Sequence, residues 1–140
     1  YVGKVLGFNL EPFNKIKPRK MSIDQQMNSV ELLTDDVIAF QFDFQERNQF
    51  PREVKTLELQ VRKPGKCFGI IQWVSLQLVD DINFENHPIK QIAESAWHPM
   101  FYPFYKPLNF MKDQVIQIQA THNRTSPNFK LSAIDGIPFD

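Results

Sequence analysis

The stretch Cys67-Phe68-Gly69-Ile70-Ile71-Gln72-Trp73-Val74-Ser75-Leu76-Gln77-Leu78 decides the fold class. In an extended chain, successive side chains point to opposite faces. Phe68, Ile70, Val74, Leu76 and Leu78 then share one face, broken only by Gln72, while Ile71 and Trp73 make half of the other face apolar. Such a run predicts a central strand, covered on both sides for part of its length. Pro64-Gly65 supplies a turn before it and Asp80-Asp81 ends it.

Working outward, alternation recurs. Ile38, Phe40, Phe42 and Phe44 alternate with Ala39, Gln41 and Asp43, which predicts a strand. Leu57, Leu59 and Val61 predict another, as do Ile116, Ile118 and Ala120, and finally Phe129, Leu131 and Ala133. Pro107 demotes Phe104–Phe110 to an edge or extended segment. Residues 80–99 read as a long polar connection with a short helix at Ile89–Ser95, and Ser22 with Gln25 and Gln26 reads as one capped helical turn. No βαβ alternation is present. The expectation is an all-β protein, an antiparallel β-barrel or sandwich with one or two short helical turns. Residues 1–20, broken by Pro12 and Pro18, read as an N-terminal arm or partial dimerisation segment, and residues 21–140 as a single domain.

The chain has 140 residues, 42% of them hydrophobic, enough for one domain with its own core. Thirteen phenylalanines favour strands and a thick interior. Sixteen basic and sixteen acidic residues cancel, which argues against nucleic-acid or membrane-surface binding through bulk charge. No apolar run reaches the roughly 20 residues of a membrane helix. The single Cys67 allows no internal disulfide, which fits a reducing, cytoplasmic setting. The chain opens on Tyr1, which fits a domain taken from a longer protein.

Chemically, the sequence has no Gly-rich phosphate loop and no Gly-x-Ser-x-Gly elbow, so neither a nucleotide site nor a catalytic residue is expected in it. His87, His98 and His122 lie at no metal-ligand spacing, and no metal site is expected. His122 continues the Ile116-Ile118-Ala120 face and reads as structural. Asn123-Arg124-Thr125 matches a glycosylation sequon, with no secretory signal to make it accessible to that chemistry. The remaining candidate is Ser95-Ala96-Trp97-His98-Pro99-Met100-Phe101-Tyr102-Pro103-Phe104-Tyr105. Its rings would either plug a barrel end or form an aromatic wall that stacks on a planar cation or a peptide, with Trp97, His98, Phe101 and Tyr102 as the groove residues.

Four passages in order resemble the C-terminal β-barrel domain of the protein arginine methyltransferases. Val5-Leu6-Gly7-Phe8-Asn9-Leu10 looks like the end of that family's dimerisation arm, and Gly69–Leu78 is similar to its central barrel strand. Ser95-Ala96-Trp97, followed by Phe101-Tyr102-Pro103 and Pro107-Leu108, resembles its Thr-His-Trp loop and the strand after it. Asp113-Gln114-Val115-Ile116 leading to Ala120-Thr121-His122-Asn123 resembles its last hairpin.

The resemblance implies a substrate-binding and dimer-contacting barrel that is not catalytic by itself. It implies an N-terminal Rossmann-type partner domain holding S-adenosylmethionine, a protein or peptide substrate, and a homodimer. Ser95 and Ala96 stand where the family has threonine and histidine. Ala96 cannot hydrogen-bond a carboxylate of the catalytic domain, so a non-arginine methyltransferase or an inactive scaffold fits as well. A reading of a different class is a stand-alone β-sandwich that binds carbohydrate, with Trp97, Phe101 and Tyr102 exposed as a stacking platform.

Overall fold

The computed structural model describes residues 2–16, 18–23, 30–46, 49–79, 81–90 and 96–139. Its strands are, in chain order, β1 (Lys4–Val5), β2 (Phe8–Asn9), β3 (Met21–Ser22), β4 (Glu53–Gln60), β5 (Gly65–Gln72), β6 (Ser75–Gln77), β7 (Asn83–Glu85), β8 (Met100–Phe110), β9 (Val115–His122), β10 (Pro127–Ile134) and β11 (Ile137–Pro138). One 3-10 turn, Glu11–Ile16, is the single helical element among the described residues. The protein is all-β, and every strand pairing with a defined register is antiparallel. Among the described residues four open sheets form, in the orders β1-β2, β11-β10-β9-β4, β3-β8-β5 and β6-β7, and none of them returns on itself as a closed barrel would.

The chain divides into two compact units, residues 1–31 with 67–108, and residues 32–66 with 109–140. In the second unit β9 is flanked on both sides. Leu57 lies opposite Ile118 and Leu59 opposite Ile116, while Phe129 faces Ala120 and Leu131 faces Ile118. Alternation thus delivers Ile116, Ile118, Ala120 and His122 to one buried face, continued by Phe129 and Leu131 on β10. The β10–β11 turn is built by Asp135 and Gly136, both at positive φ, the left-handed pair a tight two-residue hairpin requires. Asp135 also accepts the Val115 N–H at 2.8 Å through Oδ1, tying the turn to the start of β9.

The segment from Ile38 to Phe44 is not a strand. Residues 35–43 make no ladder, and the alternation is used by side chains instead. Phe40 meets the His122 ring edge-on at 4.6 Å and Phe129 at 6.3 Å, Phe42 meets His122 at 5.2 Å, and Phe50 packs on both Phe42 and Phe44 at 5.2 Å. Lys55 Nζ sits 5.3 Å from the centre of the Phe40 ring. An aromatic strap, not a strand, therefore covers the His122 end of the sheet.

His122 is buried, as its place on the Ile116-Ile118-Ala120 face predicts, 6% exposed. Its Nδ1 accepts the Arg124 N–H at 3.4 Å, which leaves the proton on Nε2. Nε2 lies 3.4 Å from Glu53 Oε1 without hydrogen-bond geometry, and Lys55 and then His122 hold the Glu53 carboxyl below its usual range.

In the first unit the Cys67–Leu78 run differs from a single central strand. It breaks at Trp73-Val74 and changes partners, β5 joining β8 and β6 joining β7. None of its residues is fully buried, and Phe68 and Leu78 are exposed. The middle of the three-stranded sheet is β8, whose Phe104–Phe110 half Pro107 predicts to be an edge or extended segment. The Ile23 N–H bonds the Pro99 carbonyl at 2.9 Å, and the β3 ladder stops at Met21–Phe101. By alternation, Pro103 is the next residue turned toward β3, and it has no N–H to carry the ladder on.

Gly69 is required by close approach: a Cβ there would lie 2.3 Å from the Tyr102 carbonyl oxygen and 2.7 Å from the Phe101 ring. Ser22 belongs to β3, and residues 24–26 of the expected capped turn lie outside the described residues. So does most of the expected helix Ile89–Ser95. The 80–99 connection also contains β7.

Residues 2–16 form a closed local unit. Asn14 is buried, accepting the Val2 N–H at 2.9 Å through Oδ1 and donating to the Val2 and Glu11 carbonyls at 2.7 and 2.9 Å. Glu11 pairs with Lys106 of β8 at 2.9 Å. Leu6, Phe8 and Ile16 remain exposed.

Replacing Ile118 by alanine removes buried mass at the centre of the β9 face, and the expected loss in urea denaturation is about 2–5 kcal/mol. Phe40→Ala should cost clearly more than Phe44→Ala, because Phe40 touches His122 and Phe129 while the Phe44 side chain is largely solvated. Equal losses would show that the strap is not packed through Phe40.

Candidate aromatic site

The loop before β8 is fixed by one buried side chain. Asn86, 2% exposed, follows β7 and reaches in two directions. Its Oδ1 accepts the Val74 N–H at 2.6 Å, its Nδ2 donates to the Trp97 carbonyl at 3.2 Å, and its own N–H donates to the Val74 carbonyl at 3.1 Å. A backbone N–H can only donate and a carbonyl can only accept, so these two partners define the amide orientation. Asn86 therefore joins the break between β5 and β6 to the aromatic loop.

Trp97 is thereby held by its backbone and by its ring. The indole meets Phe84 of β7 edge-to-face at 5.6 Å and 89°, yet the residue keeps 56% of its surface exposed. A large aromatic held in place while facing water suits a ligand or partner better than it suits a core. His98 beside it is also exposed. Phe101 is half-buried, with its ring over Gly69. Tyr102 is 4% exposed, its hydroxyl within 3.4 Å of Gln72 Oε1, and burial pushes the phenol pKa up. Phe101 and Tyr102 are adjacent on β8 and point to opposite faces. The four residues thus separate into two presented to solvent, Trp97 and His98, and two that pack the sheet. A three-ring stacking platform of Trp97, Phe101 and Tyr102 would need Tyr102 in solvent. Ala96 is exposed, and Ser95 lies outside the described residues.

Sequence reasoning missed Asn86, Phe84, Trp73, Glu85 and His87. The 80–99 connection holds β7, which returns to pair with β6 as a hairpin, with Ser75 opposite Glu85 and Leu76 opposite Phe84. This register places Phe84 on the Trp97 side and Glu85 on the other, where His87 meets the Trp73 ring at 4.7 Å. Among the described residues, no group of three or more His, Cys, Asp or Glu is placed to hold a metal ion. No helix among them is long and apolar enough to cross a membrane.

Comparison with known proteins gives two matches that extend along most of the chain. It is 26% identical over 144 residues to protein arginine N-methyltransferase 7 of Oryza sativa subsp. indica, covering 90% of this chain and 20% of that protein. The match to the protein of the same name from Oryza sativa subsp. japonica is 25% identical with the same coverage. No family model matches the chain. The chain is thus distantly similar to part of these methyltransferases and spans about a fifth of their length.

Asn86→Asp tests the amide bridge. The aspartate still accepts from Val74 but turns a carboxylate oxygen toward the Trp97 carbonyl. The expected loss is about 1–3 kcal/mol at neutral pH, with faster exchange of amides around Trp97. The carboxyl is disfavoured as an anion there, so its folded pKa is raised. The penalty should then shrink as pH falls through that value, because the protonated acid donates again. A pH-independent loss would show that the bridge to Trp97 carries no weight.

Proposed function

We propose that this chain is the substrate-side β domain of a methyltransferase-related protein, presenting a polypeptide to a separate catalytic domain and performing no chemistry alone. The observation that carries the reading is the exposed, anchored Trp97, in the loop that resembles the family's substrate loop, within a chain similar along 90% of its length to proteins named arginine N-methyltransferases. The ring would form one wall of a groove, orienting the substrate nitrogen toward the methyl donor. His98 flanks it, while Phe101 and Tyr102 support the wall from within the sheet. The exposed apolar residues of the 2–16 unit, Leu6, Phe8 and Ile16, would serve contact with the catalytic domain or a second copy in a homodimer. The reducing compartment suggested by a lone cysteine would be the cytoplasm.

S-adenosylmethionine does not fit the described residues of this chain. Such cofactors are held where a Gly-rich turn leads from a parallel strand into a helix N-terminus. Here the strands with a defined register are antiparallel, and the one described helical turn begins with acidic Glu11, its N–H already taken by Asn9 Oδ1. The cofactor would belong to the partner domain. With Ala96 at the family's histidine position, the accepted nitrogen need not be arginine.

Methyl transfer from radiolabelled cofactor, measured on the parent protein carrying Trp97→Ala, tests this. A KM for polypeptide raised on the order of tenfold, with the cofactor KM unchanged, is expected if the ring contributes only to substrate binding. Unchanged kinetics for both would remove the groove role of Trp97.

A further inference from the structure

The β6–β7 hairpin carries a second constellation on the face away from Phe84. Glu85 leaves β7 there, its carboxylate ion-paired with Lys90 Nζ and also approached by the Trp73 indole N–H and by His87. His87 packs on the Trp73 ring, and its Nδ1 accepts the Ile89 N–H at 3.2 Å. That bond shapes the turn that returns Lys90 to Glu85. The ammonium lies on the solvent side of the pair: the Lys90 side chain is 66% exposed and that of Glu85 is 28% exposed. Lys90, then His87 and Trp73, hold the carboxyl below its usual range against the opposing effect of partial burial.

We propose that Glu85, with the Trp73 indole and His87, is a seat for one cationic side chain of a partner polypeptide, and that Lys90 fills it as a replaceable stand-in. An exposed pair of this kind adds little to stability, so its release is easy. A carboxylate has two oxygens and about four acceptor positions, more than the one ammonium paired with it occupies. A guanidinium can engage both oxygens side by side, where an ammonium engages the carboxylate as a point charge. The inference extends the polypeptide-binding reading and rests on it for the class of partner, but it does not depend on Trp97.

The test is fluorescence titration of the full chain in a Trp97→Phe background, where Trp73 is the remaining one of two tryptophans. The probes are N-acetyl-Gly-Arg-Gly-amide, its lysine counterpart and its citrulline counterpart, the last being neutral and nearly isosteric with arginine. The arginine and lysine peptides should change Trp73 emission saturably and the citrulline peptide should not. Lys90→Met should tighten binding roughly threefold or more, because the stand-in no longer closes a fraction of the seats. Glu85→Gln should weaken it at least about tenfold.

A purely structural ion pair predicts the opposite: Lys90→Met would leave affinity unchanged or lower it. That result, or equal binding of the citrulline peptide, overturns the proposal. Near-UV circular dichroism of each variant separates lost folding from lost binding. No methyl transfer is involved, so failure here leaves the kinetic test of Trp97 untouched, and the reverse also holds.

Discussion

A single buried carboxamide holds the candidate site together. Asn86 has one acceptor and one donor engaged in opposite directions, Val74 on one side and Trp97 on the other. Burying an amide is costly unless both ends are satisfied, and here both are, so the geometry is tightly specified. The same interaction explains why the Cys67–Leu78 run is two strands. Where β5 ends and β6 has not begun, the Val74 N–H has no ladder partner, and a side chain supplies one. The break that looks like a defect in a long strand is what lets the hairpin grip the aromatic loop.

The readability of the sequence follows from how far each structural cause lies along the chain. Strands β9 and β10 were legible because one face is buried without interruption, and alternation of period two records that burial directly. His122 was legible for the same reason. The Ile38–Phe44 segment carries equally good alternation and forms no strand. Its phenylalanines bury against His122 and Phe129, and burial alone, not hydrogen bonding, leaves the pattern. Proline was misleading in β8, since a proline excludes only a ladder that its N–H would have to join. On that side β3 is two residues long.

In the candidate site, Trp97 was visible because bulky rings beside prolines are unusual in a loop. Its supports were not. Asn86 and Glu85 lie in a polar connection whose residues carry no periodicity, and their roles depend on a register, Ser75 against Glu85, that no turn motif announced. Trp73 was visible only as apolar surface, because its neighbour His87 is fourteen positions away and meets it through the hairpin. Buried or anchored polar groups are fixed by tertiary pairing, which leaves little local signature.

The hairpin therefore has two sides with different physical characters. On the Phe84 side, an edge-to-face ring contact and a neutral amide bridge hold Trp97, and neither depends on ionic strength. On the Glu85 side, the organising forces are an ion pair and a carboxylate kept ionised by its neighbours, and salt weakens these. A polypeptide engaging both would have its aromatic or planar contact set by packing and its charge selected electrostatically. Ala96 fits this division. The family resemblance expects a hydrogen-bonding group at that position, and on the proposed reading discrimination of charge would fall to Glu85 on the other side of the hairpin. Selection for positive charge would then be made one residue away from the strut that positions the indole, on a strand three residues long.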